Sequence, residues 1–208
     1  MKSKVFLAVT LFSLIFNAYA GMSEAQKAFD TQDYATALKE EQPLAEQGNA
    51  EAQNLMGQLY DTGRISIESQ RWKEAARWYR RAADQNYAPA LNTLGGRYTM
   101  GLGVPINVKM SVELVRKASD QNYAPAQFSL GLLLMKKDSK KSLELINKAA
   151  DQNNTSAMRH LGLLYEQGYG VKIDYEKAKE WYQKAADLGD TNAQTDLQRI
   201  VRELAKNK

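Results

Sequence analysis

The sequence predicts an all-α chain built from repeated helix pairs, and three observations support this. A short motif recurs at Ala82–Ala90, Ala118–Ala126, Ala149–Ala157 and Ala185–Ala193, with a weaker copy at Leu44–Ala52. Within each copy, apolar residues return every three or four positions, which is the period of a helix and not of a strand. Glycine-rich stretches such as Gly168–Val171 separate the periodic segments and indicate turns.

The first element is a targeting segment. Two lysines precede an apolar run from Val5 to Phe16, and small residues at Ala18 and Ala20 have the spacing that signal peptidase accepts. The run is shorter than the ~20 residues that span a bilayer. We therefore expect a cleavable signal peptide at 1–20, a single helical-repeat domain at 21–208, and a periplasmic or secreted location reached by bacterial export.

Composition excludes several classes of protein. The chain contains no Cys and one His among 208 residues, which excludes disulfide frameworks, thiol nucleophiles and cysteine-based zinc sites. The formal net charge of +4 falls to +2 once the two leader lysines are removed, and this balance does not favour nucleic acid or an anionic membrane as a partner. We expect no cofactor, no metal, no nucleic acid and no membrane insertion after cleavage.

The repeats divide the rest of the chain into helix pairs and a final helix. We place the pairs at 22–47, 51–87, 88–122, 124–152 and 155–188, and the final helix at 191–206. In the last pair, Ala157, Leu161 and Tyr165 are four positions apart and share one helix face. Asp174 is expected to cap the helix that follows the glycine-rich turn.

Small and bulky residues alternate between the two helices of a pair. A glycine follows Leu or Met in the first helix of the last four pairs, at Gly57, Gly95, Gly131 and Gly162. The facing helix supplies Trp-Tyr or two aliphatic residues, and a larger side chain in place of the glycine would overpack the contact. The final helix is expected to be capped by Asp190 or Thr191 and to bury the stripe Leu197, Ile200, Val201 and Leu204.

This pattern resembles the Sel-one-like repeats, a family close to the tetratricopeptide repeats. The resemblance rests on Ala90–Val104, Leu161–Val171 and Trp181–Gly189, and it covers essentially the whole mature chain. It implies a right-handed α-solenoid of antiparallel helix pairs with capping helices, in which the first helices line a concave face. It also implies a module that binds a partner protein or peptide and has no chemistry of its own.

Two pairs depart from the family pattern. The pair at 124–152 is five residues shorter than its neighbours, because residues 135–139 replace the usual glycine-rich turn. The first pair carries Glu40 and Glu41 where other pairs have Trp-Tyr or Leu-Ile, and it has Pro43 inside its second helix. We expect both carboxylates to lie on a solvated face.

The resemblance also places candidate partner-binding residues on the concave face. The polar candidates are Gln58, Asp61, Asn92, Thr99, Arg159 and Glu166. In the shortened pair the equivalent candidates are apolar, namely Phe128, Leu132 and Met135, and they share a helix face. They form either a hydrophobic anchor for a partner or part of the core of their own pair.

Candidates for chemistry are few. His160 has Ser156 four positions before it on the same helix face, but hydroxyls at this spacing are common, and we predict no catalytic residue. Lysines cluster at Lys136, Lys137, Lys140 and Lys141. They form either a solvated turn or a site for phosphate or an acidic partner.

Three functions stay open at this stage. The leading one is a monomeric exported adaptor or scaffold that binds a partner protein. The second, suggested by the resemblance, is an immunity protein that inhibits a secreted bacterial toxin effector such as a lipase. The third is a cell-wall or β-lactam hydrolase, which is disfavoured because the similar proteins described as β-lactamase-like are rich in disulfides and this chain has no Cys.

Overall fold

A computed structural model describes residues 24–65 and 68–206 of the chain. All regular secondary structure in these two ranges is helical, which confirms the all-α prediction. The helices are α1 (24–30), α2 (Tyr34–Glu46), α3 (Ala50–Asp61), α4 (Glu68–Asp84), α5 (Ala88–Met100), α6 (Val108–Asp120), α7 (Ala124–Leu134), α8 (Ser139–Asp151), α9 (Thr155–Gln167), α10 (Tyr175–Asp187) and α11 (Thr191–Lys206). The predicted signal peptide and its cleavage point lie outside the described residues.

The helices form two compact units that divide between Ser111 and Val112. In the first unit, α2 packs on α3, α3 on α4, and α4 on α5. In the second unit, α7 to α11 pack on one another in the same consecutive order. Helix α6 crosses the division. Consecutive packing lets each helix bury its apolar face against its neighbours in sequence, as in other helical repeat proteins.

The recurring Asp-Gln-Asn motif follows from how the chain leaves the second helix of a pair. Asn86, Asn122 and Asn153 have φ angles of 62°, 61° and 63°. This is the left-handed region, which Asn tolerates better than most residues. Gly48 and Gly189 occupy the same place in the first and last copies. The motif recurs because each of these turns needs one residue with positive φ.

The turn inside a pair differs between the full-length and the shortened copies. Gly101 and Gly168 end α5 and α9 in the left-handed conformation, with φ of 74° and 73°. In the shortened pair α7 ends at Leu134, and Asp138 caps α8 by accepting a hydrogen bond from the Lys141 N–H at 2.9 Å. A side-chain cap starts the second helix in both kinds of pair, because Asp174 caps α10 as predicted, accepting a hydrogen bond from the Lys177 N–H at 3.0 Å.

Glycines lie where the two helices of a pair come closest, as predicted. A Cβ at Gly57 would stand 2.7 Å from the Tyr79 ring, and a Cβ at Gly162 would stand 2.5 Å from the Tyr182 ring. At Gly131 the facing side chain is an isoleucine, 2.6 Å from the Cβ position. Any larger residue would push the helices apart.

Helix α11 closes the second unit, and one residue of its predicted stripe is misplaced. Asp190 caps the helix by accepting a backbone N–H at 2.9 Å. Ile200 is 1% exposed, with Leu197 and Leu204 partly buried beside it. The assignment of Val201 to this stripe is wrong, because its side chain is 44% exposed. Adjacent helix residues point about 100° apart, and on α11 the direction of Val201 lies outside the contact that buries Ile200.

The first pair departs from expectation at Glu41. The prediction that both carboxylates of this pair are solvated is wrong for Glu41, which is 1% exposed. Its Oε2 has no hydrogen-bond partner among the described side chains and backbone. Burial, with a smaller contribution from the charge of Glu51, raises the pKa of Glu41 to about 7. The cause is its place in the repeat, because Glu41 stands where Tyr79 stands in the second pair, while Pro43 lies inside α2 as predicted.

Candidate partner-binding surface

The apolar candidates lie on helix α7 and at the residue that ends it, Met135, and their environments differ. Leu132 is exposed, with 41% of its surface accessible. Phe128 and Met135 are half-buried and pack against a core cluster that includes Ile146 and Leu161. The exposed Leu132 therefore lies between two side chains that sit at the margin of the core.

His160 is engaged with an aromatic ring. Its ring centroid lies 5.7 Å from that of Phe128 at an interplanar angle of 68°, an edge-to-face arrangement. Its Nε2 is buried and has no hydrogen-bond partner within the described ranges, so no bond joins it to Ser156. Burial first, and then the charge of Arg159, lowers the pKa of His160. The imidazole is therefore neutral at pH 7 and packs as an apolar group.

Asp61 is held by two partners in the first unit. It forms an ion pair with Arg97, which is 3% exposed, and it accepts a hydrogen bond from the Tyr79 hydroxyl at 2.9 Å. The Arg97 guanidinium also lies 4.9 Å from the Tyr79 ring centroid and 5.6 Å from that of Trp72. Burial and the Asp61 charge raise the pKa of Tyr79. Asp61 thus links α3, α4 and α5.

Glu166 is held in the same way in the second unit. The Tyr182 hydroxyl donates to its Oε2 at 2.6 Å, and the Arg199 guanidinium bonds both of its carboxylate oxygens. The hydrogen bonds from Arg199 are the largest cause that lowers the pKa of Glu166. Both units therefore place an acid on a first helix, a tyrosine on the second helix and an arginine on the next helix in one network.

The other polar candidates are mostly engaged as well. Arg159 Nε donates to Asp196 at 2.6 Å, and the Thr99 hydroxyl shares a hydrogen bond of 2.8 Å with a serine of α6. Asn92 and Gln58 are half-buried, and the Asn92 Oδ1 has no partner in the part of the chain that the structure describes. Most of the polar candidates are thus held in place by contacts within their own unit.

A cavity that the sequence analysis missed lies beside the shortened turn of the second unit. Its volume is about 440 Å³. The lining residues are Met135, Lys136, Ser139, Ser142, Leu143, Leu164, Tyr169 and Gly170. The loss of five residues from this turn and the small side chain at Ser139 are the sequence features that could have revealed it, because each removes atoms from a packed position.

One lysine of the predicted cluster, Lys136, lines this cavity, whereas Lys141 lines a different one. Lys136, Lys137, Lys140 and Lys141 are all exposed. Lys141 Nζ lies 3.0 Å from a carboxylate oxygen of Glu144. The other three lysines make no ion pair within residues 24–65 and 68–206. With Asp138 among them in the sequence, the three lysines leave this segment with a net positive charge.

The described residues hold neither a candidate metal site nor a helix of membrane-spanning type. They contain no group of three or more His, Asp or Glu side chains placed to hold a metal ion. None of their helices combines the length and apolar character needed to cross a membrane.

The profile of one protein family, described as Sel1 repeat, matches the chain. It covers residues 50–87, 88–123, 124–154 and 155–190. These ranges follow four of the predicted helix pairs. None of the curated proteins matches the chain.

Solved structures with the same repeats are similar to the chain. A Sel1 repeat protein from Oxalobacter formigenes is 34% identical with a TM-score of 0.69, over 87% of this chain and 72% of that one. A protective antigen present in uropathogenic Escherichia coli strains is 31% identical with a TM-score of 0.70, over 90% of this chain and 42% of that one. A Sel1 repeat protein from Klebsiella pneumoniae shares the fold alone, at 19% identity and a TM-score of 0.60 over 88% of this chain and 93% of that one. The chain therefore belongs to the Sel1 repeat family, an α-solenoid family that its sequence motifs resemble.

Proposed function

We propose that the protein is an exported interaction module, and that it binds a partner protein or peptide on a concave face to which the first helices of its pairs contribute. Sel1 repeat proteins are protein-interaction modules, and this supports the general role. The observation that carries the proposal is Leu132, which is 41% exposed on α7 between the half-buried Phe128 and Met135. Covering apolar surface gains about 25 cal/mol per Å², and a few such anchors dominate interface energies.

The engaged polar side chains support this role through their rigidity. Asp61, Thr99, Arg159 and Glu166 are already held in one geometry by partners within their own unit. Side chains that are ordered before binding lose little further entropy when a partner arrives. We propose that they fix the orientation of the partner, while the amides of Asn92 and Gln58 offer additional hydrogen bonds.

Export from the cytoplasm is part of the proposal. The lysines, the apolar run and the small residues at Ala18 and Ala20 support cleavage after Ala20. We propose that the mature protein then acts as a monomer in the periplasm or outside the cell. Its role requires no cofactor and no catalytic step, and the pairing of His160 with Phe128 supports a packing role for the single histidine.

Partner capture by the mature chain tests the proposal. Residues 21–208 are immobilised as wild type, as Leu132→Asp and as Val201→Asp, and are exposed to a periplasmic extract; captured proteins are identified, purified and titrated. Val201 is the matched control, because it is 44% exposed and apolar but lies on α11. Leu132→Asp is expected to weaken binding at least about tenfold, since a buried charge without a partner is costly. Val201→Asp is expected to have no effect.

The outcomes separate the candidate roles. A captured toxin effector would identify the protein as an immunity protein, and any other specific partner would identify it as an adaptor or scaffold. Equal losses with both variants, or no loss with Leu132→Asp, would contradict binding through α7. Failure of the wild-type chain to retain any partner would contradict the proposed function itself.

A further inference from the structure

The cavity beside the shortened turn can be compared with the same place in the first unit, because the helix pairs are copies. Tyr79 in α4 and Ile146 in α8 face equivalent glycines on the preceding helices. Seven positions before each of them stand Trp72 and Ser139. These two residues are therefore equivalent, and so are the spaces around them.

In the first unit this space is filled. The Arg97 guanidinium lies 5.6 Å from the Trp72 ring centroid and is ion-paired with Asp61. The following turn also closes on it, since a Cβ on Gly103 would overlap the backbone carbonyl oxygen of Trp72. An indole, an ion pair and backbone atoms together occupy this place.

In the second unit each of these groups is replaced by a smaller or apolar one. Leu164, two positions after its helix glycine, stands where Arg97 stands in the earlier copy. Met135, four positions after its helix glycine, stands where Asp61 stands in the earlier copy. The turn glycine Gly170 has only the Ser139 Cβ near its own Cβ position, at 3.9 Å. The cavity of about 440 Å³ is the space left by these replacements.

The chemistry of the cavity suits an aromatic group. Met135, Leu143 and Leu164 supply apolar walls, and the exposed Tyr169 stands at the mouth. A thioether such as that of Met135 packs favourably against an aromatic ring. The copy in the first unit shows that this position accommodates an indole, because Trp72 occupies it there.

The rim of the cavity selects for negative charge. Lys136 is a lining residue, Lys137 follows it on the turn, and Lys140 lies in the first turn of α8. All three are exposed and make no ion pair within the described part of the chain. Carboxylates next to an inserted ring would find these ammonium groups within reach.

We propose that this cavity is an anchor pocket for an aromatic side chain, an indole by preference, carried on an acidic segment of the partner protein. The inference rests on the proposed interaction role and names the class of segment that the partner presents. Ring insertion supplies apolar burial, and the lysines fix the direction of the segment and raise its association rate.

The pocket can be probed in the mature wild-type chain without knowing the partner. The probe is the synthetic peptide acetyl-Asp-Glu-Trp-Glu-Asp-amide, titrated against protein labelled with ¹³C in its methionine methyl groups. The Met135 methyl resonance is expected to shift saturably, while that of Met158, 5% exposed in the core, stays in place. Replacing the tryptophan by alanine, or the four acids by lysine, is expected to weaken binding at least about tenfold. An equal Met135 response to the alanine peptide would overturn the inference.

Filling the cavity from within is the second test. Ser139→Trp restores the residue of the first unit and is expected to weaken peptide binding at least about tenfold. Ser156→Trp, at an exposed position outside the lining, is the matched control and is expected to bind as wild type. If Ser139→Trp does not fold, Ser139→Leu provides a smaller filling of the same space. A folded filling variant that binds within about twofold of wild type would also overturn the inference.

The two proposals fail in different ways. If Ser139→Trp retains a captured partner with wild-type affinity while Leu132→Asp loses it, the pocket is not the anchor and the interaction module stands. If the wild-type chain captures no partner but Met135 responds to the tryptophan peptide and not to the alanine peptide, the pocket stands and the proposed function fails.

Discussion

Glu41 is a buried acid at a repeat position that elsewhere holds tyrosine, valine or isoleucine. Its pKa is about 7 in the folded chain against an ordinary value of 4.5. Between these two pH values the folded chain binds a proton that the unfolded chain has released, so the free energy of unfolding falls as pH rises through this window. Above pH 7 the ionised carboxylate destabilises the first unit by about 1–3 kcal/mol.

We expect Glu41→Gln to remove this pH dependence. The variant should be more stable than wild type at pH 8 and about equally stable at pH 5, because it carries no charge to bury. Urea midpoints at the two pH values measure the effect. Glu40→Gln is the matched control, since Glu40 is the partly exposed neighbour of Glu41 on α2. The same response in both variants would mean that the burial of Glu41 is not the cause.

Two helix glycines allow a prediction in which replacement by alanine changes folding stability in opposite directions. Gly162→Ala is expected to destabilise by about 1–3 kcal/mol, because its Cβ would stand 2.5 Å from the Tyr182 ring. Gly96→Ala is expected to stabilise by up to about 1 kcal/mol, since its Cβ would meet only the tip of Met100 at 4.0 Å and alanine favours the helix. Denaturation midpoints of both variants check the helix register, and equal shifts would contradict it.

At the scale of the element, α7 combines core and surface on one face. Phe128→Ala is expected to cost about 2–4 kcal/mol of folding stability, because Phe128 packs against the core cluster and the His160 ring. Leu132→Ala is expected to cost less than about 1 kcal/mol, because Leu132 is 41% exposed. Urea unfolding of both variants decides how the helix divides between folding and binding. A small effect at Phe128 would assign the whole face to the partner.

The two acid–tyrosine–arginine networks connect helices with different strengths. Arg97 is 3% exposed, so Arg97→Ala leaves a partly buried carboxylate without its cation and is expected to cost about 3–5 kcal/mol. The side chain of Arg199 is 44% exposed, so Arg199→Ala is expected to cost about 1 kcal/mol or less. Unfolding in low and in high salt distinguishes them, because salt should weaken only the exposed pair. Equal costs would contradict the assignment from burial.

At the scale of the whole molecule, local features could be predicted from the sequence, and contacts between residues far apart in sequence could not. Helix bounds and turns were predictable, because hydrophobic period, Asx caps and left-handed glycines act within a few residues. The Asp61–Arg97 pairing was not, because the two residues are 36 positions apart and neither carries a mark of its partner. Glu41 was misassigned because its type suggests solvent while its place in the repeat is buried. The cavity was not predicted, because it arises where side chains are smaller and turn residues are fewer than in the other copies.

Export can be checked on the full chain. Expressed with residues 1–208 in an exporting bacterial host, the protein is expected in the periplasmic or secreted fraction with the intact mass of a chain that begins at Gly21. The full-length mass in the membrane fraction would contradict cleavage. Replacing Ala18 and Ala20 by bulky residues is expected to block processing, which makes the cleavage point testable independently of location.

The shortened turn of the second unit has an evolutionary consequence. In an array where each helix rests on its sequence neighbours, one copy can lose a few residues and a large side chain while adjacent copies keep their own contacts. Ser139 stands where Trp72 stands in the earlier copy, and the vacated volume opens to solvent beside Tyr169. A change of length in one copy can thus open a cavity there while the contacts of the neighbouring copies stay as they are.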